Sequence, residues 1–568
     1  MTTTLPSSTY PSVEYESAHR ATFAPPKKDL PALLPPGVSQ LDFEQALGEL
    51  ITIVGVESVF VGKALIDYVD PYDVYEDDES KRKVPSAAVT PGSVEGLRGV
   101  LKVANRFRLP LWVFSRGKNL GYGGPAPVLT GSVALDLHRM NRIIEVNDEF
   151  HYAVVEPGVT WEDLYSYCVE HKKKVWPSTP SLGWGSVIGN TLDRGTGFGS
   201  NATHHQCIAG CEVMLPDGDF IRTGQWGISN SPSAFLSKFT FGPSIEGLFL
   251  QSNLGIVTKM SIWLTPQPEA YMSCSVSVPE FEDVKNLVDA LGILRRNGTI
   301  ANVIWVGNVL EALSIHGRRN KFWDGERPIP DWRVREIQRE LGLGYWVARF
   351  GLYGSKRIVQ AHFDDVKEVL ALKAPRGTLD GRLFVAEEGH LLDASSIPFE
   401  HGNVFVGLPS LMALPLVNWP LKEAGVGKPA HGDYAPIIPS SGEMVLEWMQ
   451  TVKPIFDAAG AELMVDFFMH ERHVIVTNMW SYDQHDGAQR RAVDGLFMRL
   501  HEVAKEKGYG MYRGHVQHMD RIARLNDFND HAYRRFVEKL KDAVDPNGLL
   551  APGKQGIWPT KYRTHRAA

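Results

Sequence analysis

The stretch Ser115-Arg-Gly-Lys-Asn-Leu-Gly-Tyr-Gly-Gly124 constrains this chain more than any other. It follows the apolar run Leu109-Pro-Leu-Trp-Val-Phe114, which reads as a buried strand. Gly117, Gly121, Gly123 and Gly124 allow backbone conformations closed to other residues, so the turn can bring several N–H groups against a pyrophosphate. Ser115, Arg116, Gly117, Lys118, Asn119, Leu120 and Gly121 are therefore candidate nucleotide contacts. Tyr122 sits among the glycines. A phosphate loop needs no phenol, so this residue points to chemistry beside the nucleotide. The competing reading is a glycine-rich surface turn.

Other segments add to the pattern. Glu156-Pro-Gly-Val-Thr-Trp-Glu-Asp163 reads as a strand end, a Pro-Gly turn and a helix start, with Thr160 as N-cap and Asp163 at the third helical position. Ser181-Leu-Gly-Trp-Gly-Ser-Val-Ile-Gly-Asn190 and Arg194-Gly-Thr-Gly-Phe-Gly199 are two more glycine-rich loops. Gly247-Leu-Phe-Leu-Gln-Ser-Asn-Leu-Gly-Ile-Val-Thr258 and Asp545-Pro-Asn-Gly-Leu-Leu-Ala-Pro-Gly-Lys554 follow. None fits the Gly-x-Gly-x-x-Gly dinucleotide fingerprint in its strand–helix setting, or the Walker loop. Together, in this order from about Leu41 to Trp558, they resemble the vanillyl-alcohol oxidase and 4-cresol dehydrogenase (methylhydroxylating) family of flavoproteins.

The resemblance implies FAD as cofactor and an α+β, two-domain FAD-linked oxidase fold. In it a discontinuous FAD-binding domain holds an inserted α+β cap that shapes the substrate pocket. It adds Pro180, Gly185, Ser186, Gly189, Asn190, Gly255, Ile256, Val257 and Lys554 to the expected cofactor contacts. Independently, 568 residues exceed the usual size of a single core. The Ser/Thr/Pro-rich stretch 1–38 reads as an arm without its own core. Strands and helices alternate from Leu41, and the spacing predicts a helix over 94–105 capped by Ser93. After about Pro268 the glycine-rich loops stop. The expected division is 39–268 and 508–568 for the FAD-binding domain, with the cap at 269–507.

In Ala430-His-Gly-Asp-Tyr-Ala-Pro-Ile437, His431 falls at the family's flavin-linking histidine position. A neutral imidazole nitrogen can add to the flavin 8-methyl carbon after that methyl loses a proton. Tyr434 is the alternative tether, and a surface-loop histidine is the plain reading. Tyr122, Tyr512 and Arg513 match the family's phenolate-binding trio. Arginine stays charged, and with two phenolic hydroxyls it can stabilise a phenolate. A phenolate pushes electrons towards its para carbon, which helps hydride leave the benzylic carbon. The oxidases carry an aspartate after a proline beside the flavin; here that pair is Pro180-Ser181. Asp466 supplies an acid on the facing wall, where it could activate water against a quinone methide, or be a plain salt-bridge partner. Tyr72 stands where the oxidase has a histidine that assists flavin attachment. His470 and His473 lie in the pocket segment, and a strand there would put them on opposite faces.

A net charge of −7 does not suggest a nucleic-acid partner. Cys168, Cys207, Cys211 and Cys274 lack a second pair at zinc spacing and read as free thiols, so no metal is expected. No run reaches transmembrane length, and neither a secretory leader nor a peroxisomal tail stands out, so an intracellular, cytoplasmic protein is the default expectation. The leading functional expectation is FAD-dependent oxidation of para-substituted phenols, namely 4-alkylphenols or 4-hydroxybenzylic alcohols, with O2 as acceptor, in a homodimer or higher homo-oligomer. The alternatives are a dehydrogenase that passes electrons to a cytochrome, and a non-catalytic flavin-binding protein.

Overall fold

The computed structural model describes residues 30–566 apart from 76, 77, 79, 424 and 425, so most of the expected N-terminal arm lies outside the described residues. The first sheet contains β1 (Val59–Phe60), β2 (Ala88–Val89), β3 (Leu111–Phe114) and β4 (Val133–Asp136) in the order β1-β2-β4-β3. β2, β4 and β3 are parallel, and β1 is antiparallel to β2. Helices Gln40–Val54 and Val94–Phe107 cover it. The second helix buries Leu97, Val100, Leu101 and Ala104, the stripe that its periodicity predicts. The Ser93 hydroxyl caps it by accepting from Gly96 N at 3.1 Å.

β5 (Ile143–Asn147), β6 (Tyr152–Val155), β7 (Val175–Trp176), β8 (Ile208–Met214), β9 (Phe220–Arg222), β10 (Ile256–Trp263) and β11 (Thr265–Pro266) follow. Five of them make an antiparallel sheet in the order β5-β6-β10-β8-β9, and β7 pairs with β11 as a separate ribbon. Helix Trp161–Glu170 starts where the sequence says it should. Asp163 N donates to Thr160 Oγ1 at 3.0 Å, and Thr160 N donates to Asp163 Oδ2 at 2.9 Å.

The chain then enters an eight-stranded antiparallel sheet, built from β12 (Ala270–Val278), β13 (Ile304–Asn308), β14 (Trp346–Gly354), β15 (Thr378–Val385), β16 (Pro429–Tyr434), β17 (Ile437–Pro439), β18 (Met464–Met469) and β19 (His473–Asp483). Its order is β15-β12-β14-β13-β18-β19-β16, with β17 also on β19. Helices Val284–Arg296, Lys356–Lys373, Gly442–Ala458 and Gly487–Glu506 pack on one face around Trp346, Phe350, Trp448, Phe456 and Phe467. The other face meets the first unit through aromatic contacts such as Trp176, Phe198, Tyr271 and Phe468.

After helix Gly487–Glu506 the chain crosses back. Ile437 N donates to Gly510 O and Tyr512 N to Ala435 O, so 510–512 still pairs with the cap as an isolated bridge. Further on, Leu111 N donates to Leu549 O at 2.7 Å and Ala551 N to Leu111 O at 2.6 Å, which adds the C-terminal segment to the edge of β3. The architecture is α+β, with one unit assembled from two distant parts of the chain and the other inserted between them.

Candidate active site

All four glycines of the loop after β3 occupy the left-handed half of backbone space: Gly117 at φ 63°, Gly121 at 79°, Gly123 at 101° and Gly124 at 53°. This turn and its neighbours enclose a cavity. Ser115, Arg116, Gly117, Lys118, Asn119, Gly185, Ser186, Gly189, Asn190, Gly255, Ile256, Val257 and Lys554 line it together with Tyr122 and Arg513. A Cβ on Gly189 would stand 2.2 Å from Ser115 Oγ, so the two loops approach closely only because that residue is glycine. Leu120, Gly121, Pro180, Ser181, Tyr512, His431 and Asp466 do not line this cavity. Gly121 instead backs His431: a Cβ there would lie 2.6 Å from the imidazole Cε1.

Tyr122, Tyr512 and Arg513, some 390 residues apart in the chain, come together. The Arg513 guanidinium carbon lies 5.7 Å from the Tyr122 ring centroid and 5.0 Å from that of Tyr512. Arg513 Nε donates to Asp193 O at 2.8 Å, the Asp193 carboxylate stands 3.7 Å from it, and Nη2 is buried without a partner among the described residues. The Tyr512 hydroxyl donates to Arg194 O at 2.7 Å. Burial raises both tyrosine hydroxyls, against the pull of Arg513.

The cap face above this cluster carries ionisable groups that strand arithmetic aligns. β19 lies between β18 and β16, with Asp466 opposite Thr477 and Asp433 opposite Met479. Thr477 and Met479 share a face of β19, so Asp466 and Asp433 share it too, with His431 two residues along β16. Trp305 Nε1 donates to Asp466 Oδ2 at 3.4 Å from β13. Burial raises the Asp466 carboxyl to about 6, with the Thr477 and Trp305 hydrogen bonds opposing it. Burial raises Asp433 to about 7, with the Asp466 charge adding to the rise and the Tyr122 hydrogen bond opposing it. Oδ1 of each carboxyl is buried without a partner among the described residues. Sequence reasoning missed Asp433, which stands two residues past His431 with no local pattern to mark it.

His431 lies on edge strand β16, not in a surface loop. Burial lowers its imidazole to about 4, and Nδ1 has no partner among the described residues. The Tyr72 ring centroid is 5.0 Å away, so this tyrosine does stand beside the imidazole. Tyr434 faces the other side of the sheet, fully buried in the cap core against Phe497. Its side chain therefore cannot serve as the alternative tether on the His431 face.

His204 is a second residue that the sequence reading passed over. Its Nε2 donates to Ser178 O at 2.6 Å and its Nδ1 lies 2.7 Å from the Asn190 side-chain amide. His470 and His473 depart from the expectation of opposite faces. They flank the two-residue turn between β18 and β19, His470 N donates to His473 O, and their rings stack at 4.5 Å. Cross-strand neighbours in a hairpin share a face, whereas the expectation applied one strand's alternation to both. All four cysteines are free. No group of three or more His, Cys, Asp or Glu placed to hold a metal ion occurs among the described residues.

Residues 85–224 match the FAD binding domain, and residues 437–555 match the C-terminal domain of FAD linked oxidases. The two matches define the class: an FAD-linked oxidase fold, with a discontinuous FAD-binding domain and an inserted α+β cap. The 4-cresol dehydrogenase (hydroxylating) flavoprotein subunit of Pseudomonas putida is 33% identical over 533 residues, covering 93% of this chain and 98% of that protein. The structure of 4-ethylphenol oxidase from Gulosibacter chungangensis in complex with isoeugenol superposes with a TM-score of 0.86 at 33% identity, over 94% of this chain and all of that one. That of p-cresol methylhydroxylase with substrate bound superposes with a TM-score of 0.83 at 32% identity, over 93% and 99%. The chain belongs to the vanillyl-alcohol oxidase and 4-cresol dehydrogenase (methylhydroxylating) family of FAD flavoproteins, and it is a flavin-dependent oxidoreductase. The residues present fit FAD: a cradle of left-handed glycines, the close approach at Gly189, and an orphaned buried nitrogen on His431.

Proposed function

We propose that this enzyme oxidises para-substituted phenols, either 4-alkylphenols or 4-hydroxybenzylic alcohols, at the benzylic carbon. The observation that carries the reading is the Arg513 guanidinium packed against the rings of both Tyr122 and Tyr512 with one buried nitrogen unpartnered among the described residues. A fixed cation with a spare donor, in a place where burial disfavours negative charge on the protein's own phenols, suits a substrate that arrives with its own phenolic oxygen. The relatives named above for 4-cresol and 4-ethylphenol act on phenols of this class.

Bound FAD supplies the hydride acceptor. The chain's own residues do the rest. Arg513, Tyr122 and Tyr512 hold the phenolate, and its electrons move to the para carbon as hydride departs, leaving a quinone methide. The Asp466 carboxylate takes a proton from water as that water adds to the reactive carbon. Ser181 leaves the oxidase aspartate's position without an ionisable group. The neutral imidazole of His431 would carry the covalent tether, while Ser115–Gly121, Pro180, Gly185, Ser186, Gly189, Asn190, Gly255–Val257 and Lys554 would hold the nucleotide. The working division of the chain is 39–268 with 508–568 against 269–507, with 510–512 as the segment that touches both.

Comparing 4-ethylphenol with its O-methyl ether tests the reading. The phenol should bleach the flavin and the ether should not; equal rates for the two would overturn it. We take O2 as the electron acceptor. A second reading, transfer to a partner such as a cytochrome, is favoured by one observation: the P. putida relative is named both a dehydrogenase and a subunit, while the equally similar G. chungangensis protein is named an oxidase. Mixing the reduced enzyme with air-saturated buffer separates the two, since only an oxidase recovers its flavin absorbance within the turnover time.

A further inference from the structure

Asp433 is a buried carboxylate that the reaction as described above leaves without a role. It stands on β16 on the same face as His431 and Asp466. One of its oxygens is unpartnered among the described residues. Its side chain neighbours the Tyr122 hydroxyl, and the charged or titratable groups that face it are Tyr122, Tyr512, Arg513, Asp466 and His515. His515 is itself held by Asp70, Nε2 to Oδ2 at 2.8 Å.

A buried cation needs a counter-anion. Asp193 meets Arg513 at its Nε side, whereas the Asp433 carboxyl neighbours Tyr122 and, when ionised, acts on Arg513 as a second counter-anion. A phenolate brought to that same side adds a negative charge next to Asp433, and two such charges cannot both stand in a low-dielectric site. Moving one proton removes the conflict without changing the total charge.

Resting on the phenol reading, we propose that Asp433 is the proton acceptor of the phenol site. The phenol O–H bond breaks as its proton goes to the Tyr122 oxygen, while the Tyr122 hydroxyl passes its own proton to an Asp433 carboxylate oxygen. Tyr122 ends as it began, the substrate becomes a phenolate, and Asp433 becomes neutral. Substrate and Asp433 thus exchange the place of counter-anion to Arg513. Asp433 acts through Tyr122 and is a positioning residue, not one that touches the reacting carbon.

The test is a proton count. The probe is 4-tert-butylphenol, which has no benzylic hydrogen to lose and the ordinary phenol pKa of about 10, bound to the FAD-loaded enzyme at about pH 8.5, where the free phenol is neutral and Asp433 ionised. Its phenolate band is followed together with an indicator dye in weak buffer. The wild type should show the phenolate band with no net proton release. Asp433→Asn should either lose the band or gain it with release of about one proton per probe. Asp433→Glu should restore the wild-type pattern. Release of a full proton by the wild type alongside the band overturns the assignment, and this holds even if the asparagine variant does not fold. So does an Asp433→Asn protein with an unchanged band and no release. A wild type that binds the probe without any phenolate band overturns the phenolate site itself, and this inference with it.

Discussion

His431 combines a neutral imidazole with an unpartnered ring nitrogen beside the glycine turn. Burial keeps its imidazole neutral, with the pKa lowered to about 4, and its Nδ1 accepts from nothing among the described residues. A lone pair held neutral and unspent is what addition to an electrophilic carbon needs. His431→Ala should release FAD from the denatured chain, seen as loss of flavin fluorescence from the protein band, while the folded variant still binds FAD through the glycine loops. A fluorescent flavin peptide lacking residue 431 would exclude this tether. Asp466 offers a second single-residue test. Its carboxyl, raised to about 6 by burial, is still largely ionised at neutral pH yet basic enough to take a proton from water. Asp466→Asn should lower alcohol formation by roughly 10²–10⁴-fold, and Ser181→Ala should change it little. Because water addition depends on the acid more than hydride loss does, 4-alkylphenols should shift towards alkenes in Asp466→Asn, with flavin bleaching slowed less than alcohol release. Wild-type alcohol yield from Asp466→Asn would reduce Asp466 to a buried partner of Trp305.

At the scale of elements, the parts of the site that lie within one continuous segment were readable in advance. The glycine turn, the Thr160–Asp163 capping box, β6 over Tyr152–Val155 and β10 over Ile256–Trp263 all depend on neighbours a few residues apart. Asp433 and His204 were not readable, since their meaning lies in pairing across long separations. Only the β16–β19–β18 register turns Asp433 towards Asp466, and only the approach of Ser178 and Asn190 makes a clasp of His204. That clasp ties the segment leading into Pro180 to the Asn190 helix, with the ring 4.4 Å from Trp161. A neutral imidazole donates once, to Ser178 O, and accepts from the Asn190 amide, whose nitrogen and oxygen exchange by a half-turn. Burial lowers its pKa from 6.5 to about 3. With the folded value below the unfolded one, the stability His204 contributes is complete above pH 6.5 and is lost as pH falls towards 3. At pH 5 the loss is about 2 kcal/mol. Denaturant titrations at neutral pH and at pH 5 should therefore show a smaller acid loss in His204→Gln than in wild type, by that amount. Equal acid slopes in the two proteins would mean that His204 is protonated in the fold.

At the scale of the whole molecule, a domain made of two distant stretches is only as stable as the clasp between them. Lys541 forms that clasp. It is fully buried, its Nζ lies 2.7 Å from Asp545 Oδ2, and it donates to Asn253 O at 2.6 Å and Leu550 O at 2.7 Å. Asp545 in turn accepts from Leu549 N and Leu550 N at 2.9 and 2.8 Å, which presents Leu550 to β3. One cation thus joins the segment before β10 to the C-terminal return, and both flank the cavity, through Asn253–Val257 on one side and Leu550–Lys554 on the other. Lys541→Met keeps the length and apolar stem but leaves the Asp545 carboxylate buried without its cation, and two carbonyls without a donor. Breaking such a pair costs about 3–5 kcal/mol, whereas a surface pair costs under about 1 kcal/mol. Asn253 and Leu550 should then drift apart while the cap, which Lys541 does not touch, stays folded. The expected protein unfolds in two steps, with the FAD-binding part first. If His431 is the tether, the flavin stays covalently attached after that first step but gains fluorescence as its surroundings open. A double variant, Lys541→Met with His431→Ala, should instead lose the flavin to solution in the same step. A single cooperative transition at the wild-type temperature in Lys541→Met would show that the edge pairing at β3 holds the two stretches together without the buried cation.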